Sequence, residues 1–162
     1  MIHIIVGNTG AGKTTYSNQL KEQTNGVIFS IDMWNNTLFM PDKKPTDGLD
    51  WFLERIDRAE VIIQNLITQL EASNTDSILD LGLSKYAHRE KFRTFAKATN
   101  FKIKLHFLDI PAEIRWERIA SRNKEKGETF EFEVTRENFD FMETWFETPT
   151  DDELENGIRI KH

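Results

Sequence analysis

The chain contains no cysteine. A disulfide framework and thiolate chemistry are both excluded, and a cytoplasmic setting is the simplest expectation. No apolar run approaches the length needed to cross a bilayer as a helix, so no membrane association is expected. The first residues show no basic stretch followed by an apolar run and a small-residue cleavage site, so no secretory signal is expected. Positive charge is the scarcer sign: 21 Lys and Arg against 27 Asp and Glu give a net charge of −6. That balance argues against broad, sequence-independent nucleic-acid binding and leaves room only for a local basic cleft. Internal repeats, heptad series and low-complexity stretches are missing. The histidines at 3, 88, 106 and 162 share no ligand spacing, so no transition-metal site is expected. What remains is a chain of 162 residues, expected to fold as one domain, 1–162, with a sizeable core.

Against these absences stands one dense motif. Residues 7–14 run Gly7-Asn8-Thr9-Gly10-Ala11-Gly12-Lys13-Thr14, a complete G-x-x-x-x-G-K-S/T loop. Its glycines allow a tight turn and bring backbone N–H groups up to phosphate oxygens. Lys13 reaches the β- and γ-phosphates, and the Thr14 hydroxyl suits Mg²⁺. Ile2, Ile4, Ile5 and Val6 form a β-branched run just before it. A helix-compatible stretch from Lys13 to Glu22 follows, so Thr15 also falls in the first turn facing the anion. Strand, loop and helix in that order are the expected setting for a nucleotide site.

Further strands are expected at Gly26–Ile31, Ser77–Leu81, Ile103–Leu108 and Ile158–Ile160. Residues 32–48 look like a loop with a short helix. A long helix follows, carrying Phe52, Ile56, Ile63, Leu66, Ile67 and Leu70 at helical spacing, with Asp50 as its expected cap. Helices are also expected over Tyr86–Ala98, Ala112–Asn123 and Thr135–Phe146, the last with Asn138, Met142 and Trp145 or Phe146 inward. Lys124 to Thr129 reads as a charged turn. Strands alternating with helices imply an α/β fold with a parallel sheet covered on both faces.

The guanine-reading Asn-Lys-x-Asp string of GTPases is absent, its nearest match being Asn123-Lys124-Glu125-Lys126. No transporter-type Leu-Ser-Gly-Gly string occurs either. Three further features follow the loop in order: Ser30-x-Asp32 after the second strand, an apolar run into Asp80, and Arg118-x-x-x-Arg122-Asn123 after the fourth strand. With them the chain resembles the small P-loop kinases that include phage polynucleotide kinase, zeta toxins, chloramphenicol phosphotransferase and gluconate kinase. It is most similar to bacterial predicted kinases of that group without an assigned substrate. The resemblance runs along most of the chain. It implies a P-loop NTPase fold of nucleoside-kinase type, a five-stranded parallel sheet flanked by helices, with a mobile lid at about 112–130. It also implies γ-phosphoryl transfer from Mg-ATP to an acceptor hydroxyl.

The expected roles follow. Gly7, Asn8, Thr9, Gly10, Ala11, Gly12, Lys13, Thr14 and Thr15 hold the triphosphate, with Thr14 and Asp80 on Mg²⁺. Asp32, at the sheet edge where α/β ligands bind, accepts or orients the acceptor's proton, the role an aspartate has there in the related kinases. Asp32 and Asp80 remain interchangeable as base and substrate ligand. Arg118 and Arg122 match the family's lid positions and stabilise charge on the transferring phosphoryl group, with Lys13. Arg115 shares their face, and Asn123 contacts adenine or orders the lid. Asn35 stands where the polynucleotide kinases carry an arginine, so their substrate-phosphate contact is not implied at that position. Arg89 is a candidate for substrate contact, as are Trp34 and Trp51, for which partial core burial is the simpler role. Phe130, Phe132, Phe139, Phe141, Trp145 and Phe146 are expected to pack as core. The acidic residues between them (Glu128, Glu131, Glu133, Glu137, Asp140, Glu143, Glu147) are expected to form a solvated face. A small hydroxyl-bearing molecule is the expected acceptor. Two alternatives stay open: a polynucleotide 5′-hydroxyl, and a nucleotide-dependent switch acting through a protein partner.

Overall fold

Alternating β-branched and aliphatic residues make the strands, and they alternate between two covered faces. The computed structural model describes residues 1–127, 130 and 133–161. Strands β1 (Ile2–Val6), β2 (Val27–Ser30), β3 (Ser77–Asp80), β4 (Ile103–Asp109) and β5 (Ile158–Lys161) form one parallel sheet in the order β2-β3-β1-β4-β5. On one face Ile2, Ile4, Val6, Leu79, Leu105 and Phe107 pack under helices α3 (Leu49–Ala72) and α4 (Tyr86–Thr99). On the other, Ile5, Ile78 and Leu108 meet Leu20 and Tyr16 of α1 (Lys13–Thr24). The connections leaving β1 and β3 therefore run along opposite faces, which opens a crevice at the carboxyl ends of these two strands.

Some boundaries differ from expectation, each for a local reason. Ile31 does not extend β2. The Ser30 side chain accepts from Met33 N–H and starts a short helix α2 (Ile31–Trp34), which continues as a π turn (Asn35–Phe39) and a 3-10 turn (Met40–Asp42). Residues expected as a loop are thus largely helical, and Asp32 sits in a first helical turn. Asp50 is not the cap of α3: Gly48 holds the N-cap position and Asp50 lies inside the first turn, where its charge suits the dipole. Beyond β4 come α5 (Ala112–Glu125), α6 (Arg136–Trp145) and a short α7 (Asp151–Leu154). Asn138 does not point inward. It is exposed and forms a capping box with Thr135, leaving Phe139 as the buried residue of α6. Part of the expected charged turn, Glu128 and Thr129, lies outside the described residues, as do Glu131, Phe132 and His162.

Candidate active site

Gly12 supplies two things at the head of α1. Its φ of 92° lies in the left-handed region, and as N-cap it has no side chain to close the first turn. No carboxylate occupies that turn. The leading N–H groups and the positive end of the helix dipole therefore face any approaching anion. Gly10 has a φ of 82°, and a Cβ there would stand 2.6 Å from the Arg115 carbonyl, so only glycine lets the loop rest on α5. Lys13 Nζ donates to the Gly7 carbonyl at 3.0 Å, laying the side chain back across the loop.

At the crevice the ends of β1 and β3 meet. Thr14 Oγ1 donates to Asp80 Oδ2 at 3.0 Å. One cavity of about 860 Å³ gathers Gly7, Thr9, Gly10, Gly12, Lys13, Thr14 and Thr15 on its floor, with Asp80, Asp32, Arg118 and Arg122 around them. Phe52, Ser84, Phe141 and Met142 also line it, with Gly82, Ile119, Val134 and the exposed Asn138. Arg118 Nη1 donates to the Ala11 carbonyl at 3.3 Å. Arg122 Nε is buried and has no hydrogen-bond partner among the described residues. Asn8 and Ala11 do not line the cavity: Ala11 is buried, and the Asn8 side chain turns toward α6.

That turn belongs to a clasp built on Arg115. Its Nε donates to the Ile110 carbonyl at 2.8 Å and its Nη1 to the Thr9 carbonyl at 3.1 Å. Nη1 and Nη2 reach the two Glu143 oxygens at 2.8 and 3.0 Å, the planar bidentate geometry that guanidinium favours. Asn8 Nδ2 donates to Glu143 Oε1 at 2.6 Å and to the Met142 carbonyl at 3.3 Å, while its Oδ1 accepts from Thr9 N–H at 2.7 Å. Arg115 is thus committed to holding the loop, α5 and α6 together. Asn123 joins both ends of the segment between those helices: it donates to the Val134 carbonyl at 2.8 Å and accepts from its N–H at 3.2 Å.

Several other expected contributors stand elsewhere. Arg89 does not reach the cavity. It is fully buried, paired to both oxygens of Glu153 at 2.6 and 3.1 Å, and donates to the carbonyls of Leu83 and Glu147. Burial works to raise the Glu153 carboxyl, and the bonds from Arg89 and from Thr150 N–H outweigh it and hold it below its usual range. Glu147 is exposed, in keeping with a solvated face, and is also tied to the fold. It accepts from Tyr86 N–H at 2.7 Å at the start of α4 and from Lys85 at 3.1 Å, and these bonds pull its pKa down. Trp34 packs edge-on to Phe29 of the core, and Arg55 lies over the Trp51 ring at 3.8 Å. Phe141, expected in the core, is 55% exposed and lines the cavity. The residues not foreseen, Phe52, Ser84, Phe141 and Glu143, are scattered over three segments. Only Phe141 left a signal. It sits two positions from Phe139, on the opposite side of a helix, so the two rings had no common core to share.

Loop, switch-point crevice and paired Thr14–Asp80 together define a P-loop protein of small-kinase type. The chain belongs to the AAA domain family, which it matches over residues 2–149. It is similar in structure to Chaetomium thermophilum Kti12 in complex with ADP-AlF3, with 14% identity, 100% of this chain and 88% of that one covered, and a TM-score of 0.72. It is similar to the Mycobacterium tuberculosis APS kinase CysC in complex with AMPPNP and APS, with 14% identity, coverage of 99% and 87%, and a TM-score of 0.66. A gluconokinase from Sinorhizobium meliloti is also similar, with 14% identity, coverage of 98% and 81%, and a TM-score of 0.62. At these identities the likeness is one of fold. No curated protein matches the sequence. Among the described residues no helix is long and apolar enough to cross a membrane, and no cluster of three metal-ligating side chains occurs.

Proposed function

We propose that the chain is an ATP-dependent phosphotransferase whose acceptor is a hydroxyl of a small molecule. The observation that carries this reading is Asp32, a carboxylate on the wall of the same cavity as the phosphate loop but contributed by a different segment. A site that only bound nucleotide would need no second carboxylate beyond Asp80. The similar proteins named as kinases support the same reading.

The residues present fit Mg-ATP. An uncapped helix turn, a glycine-built cradle and the unpartnered Arg122 Nε all await an anion. Thr14 and Asp80 offer the hard oxygens that Mg²⁺ prefers, and the bound ion would neutralise charge on the β- and γ-phosphates. Lys13 leaves the Gly7 carbonyl for the β- and γ-phosphate oxygens. Asp32 takes the acceptor's proton as the hydroxyl oxygen bonds to the γ-phosphorus. The bond from that phosphorus to the bridging oxygen breaks, and ADP departs with its electron pair. Arg118 and Arg122 donate to the equatorial oxygens where charge develops, and their cover excludes water.

Label transfer from γ-labelled ATP to a panel of small hydroxyl compounds tests the reading. Asp32→Asn is expected to lower kcat by roughly 100-fold or more with ATP affinity nearly kept. Full transfer by Asp32→Ala would sink Asp32 as the base. Label appearing on a 5′-hydroxyl oligonucleotide instead would replace the small molecule with a polynucleotide. ATP loss indifferent to every acceptor would favour the switch.

A further inference from the structure

The order of the strands ranks the segments that line the cavity. Asp32 follows β2 at the sheet edge, Asp80 ends β3, the phosphate loop leaves β1, and α5 follows β4. Ser30 and Asp80 are register partners, and a Cβ on Gly82 would stand 4.0 Å from Ile31 Cγ2, so Asp32 emerges beside the end of β3. At the usual spacing of strands, β2 lies about 10 Å from β1, on the side away from α5. Arg118 donates to the Ala11 carbonyl, and its Nη1 would lie 3.7 Å from a Cβ on Gly12, so α5 reaches the loop from the β4 side.

A further cation stands on the Asp32 side, beside the cavity wall. The helical segment that begins with α2 ends at Lys43 and leads into α3, whose first turn carries Phe52 into the cavity lining. Trp34 and Phe39 of that segment pack on the same core as Ile31, Leu83 and Ile56, which keeps Phe52, one turn before Ile56, on this side. The backbone at Lys43 is pinned twice: its N–H donates to the Met40 carbonyl at 3.1 Å, and the next N–H, of Lys44, to the Asp47 carboxylate at 2.7 Å. Lys43 is half-buried, and its Nζ stands 5.6 Å from the centre of the Phe52 ring. A ring attracts a cation without neutralising it. Acids close along the chain are engaged elsewhere, Asp47 by Lys44 N–H, Glu54 by Arg58 and Asp57 by Lys91. Among the described residues no carboxylate forms an ion pair with Lys43.

We infer that Lys43 sets acceptor choice, and that the acceptor is a small hydroxyl compound carrying one anionic group, a carboxylate or a phosphate. Lys43 meets that group, Phe52 covers the carbon frame, and the hydroxyl is left toward Asp32. When the cavity fills, water leaves Lys43, and an anion offsets that loss where a neutral compound does not. The same positive charge offsets the repulsion that an anion meets from Asp32 and Asp80. Lys43 takes no part in the transfer and acts on specificity alone. This inference rests on the phosphotransferase reading above.

Two matched pairs test it, gluconate against glucose and glycerol 3-phosphate against glycerol, with a 5′-hydroxyl oligonucleotide beside them. Each is titrated by calorimetry into protein saturated with Mg-ADP, so that the phosphate loop is filled, and each is offered with γ-labelled ATP. The expected result is affinity and kcat/KM at least about tenfold higher for the anionic member of one pair or both. The two pairs tell carboxylate from phosphate. Lys43→Met is expected to bring the ratio near one through KM and Lys43→Arg to keep it, with ATP affinity and melting temperature held in both. A preference for the neutral members overturns the inference. So does anion binding that survives Lys43→Met, a loss as large in Lys43→Arg, an oligonucleotide preferred over all four, or no binding of any of them. ATP binding that ignores Lys13→Ala would overturn the phosphotransferase reading itself, and the two failures are thereby told apart.

Discussion

The two ends of α5 carry the same residue type to opposite effect. Near its start, Arg115 is 5% exposed, and its guanidinium is taken up by Glu143 and by the carbonyls of Thr9 and Ile110. Two turns on, Arg122 faces the cavity with its buried Nε unpartnered. Arg118 stands between them, in contact with the Ala11 carbonyl yet exposed. Helical spacing puts all three on one side, so spacing alone does not separate them. The nearest carboxylate does: Glu143 of α6 sits within reach of Arg115, and no carboxylate pairs with Arg118 or Arg122 among the described residues. An arginine neutralised by the fold builds the site, and one left unneutralised is free to act on a ligand.

The comparison breaks most visibly at the loop both ends serve. Lys13→Ala is expected to lower phosphoryl transfer by roughly 100-fold or more with little change in melting temperature. Equal activity in that variant would remove the loop from the chemistry. Next come the two arginines as a contrasting pair. Arg122→Ala should cost about 10- to 100-fold in kcat/KM with melting unchanged. Arg115→Ala should cost about 2 kcal/mol of stability, a fall of about 4–8 °C in melting temperature, because it strips a bidentate pair and two backbone acceptors. Calorimetry and steady-state kinetics on both variants would erase the distinction if the two profiles coincide.

Glu143→Gln sharpens the contrast with a smaller effect. The amide retains the bond to Asn8 and loses the charge that neutralises Arg115. Nucleotide affinity measured by titration should fall a few-fold, because the loop's opening residues lose part of their anchorage, and melting should fall less than in Arg115→Ala.

A last comparison lies under α1, where pH is the variable and the phosphate site is not involved. Tyr16 OH and His106 Nδ1 share a hydrogen bond at 2.8 Å, His106 Nε2 and His3 Nδ1 share one at 2.9 Å, and His3 Nε2 and Asp76 share one at 3.0 Å. Burial, with the neighbouring charges of His3 and Lys104, pushes His106 down to about 4. The unfolded chain binds that proton near the ordinary histidine value of about 6.5, so it holds more protons than the native state between those values. Stability should therefore be full above about pH 6.5 and decline as pH falls toward 4. A thermal melt series over that window should show the decline, and His106→Gln should flatten it. A slope unchanged in that variant would assign it to other groups.

What was legible in the sequence tracks how local the physics is. β1, the loop and α1 follow from adjacent residues, and both the parallel sheet and its five strands stand as expected. The motif also points to the Thr14–Asp80 neighbourhood, because strand ends in this topology converge. The partners of Arg89, Arg115 and Asn8 were not legible. Arg89 pairs with a residue 64 positions away, and Asn8 with one 135 positions away, and no periodicity links such residues. Acidic residues between aromatics near the C-terminus look alike in the sequence, yet Glu143 locks the loop, Glu147 caps α4, and the exposed Asp140 pairs with Arg136 within its own helix. Gly48 displaced Asp50 as the start of α3 by only two positions, a choice that rests on backbone angles.

The Arg115 clasp also pins the start of α5 to the loop and α6, while its far end is tied only to Val134 through Asn123 among the described residues. Arg122 lies seven residues along from the pinned point, about 10 Å at the rise of an α-helix. A tilt of about 10° around that pivot, small for a packed helix, would carry the Arg122 backbone through about 2 Å while leaving Arg115 nearly still. That arc is comparable to the difference between a guanidinium that touches a phosphate oxygen and one with water between them. Release and capture of the phosphates would then turn on a pivot held by Glu143 and by the carbonyls of Thr9 and Ile110.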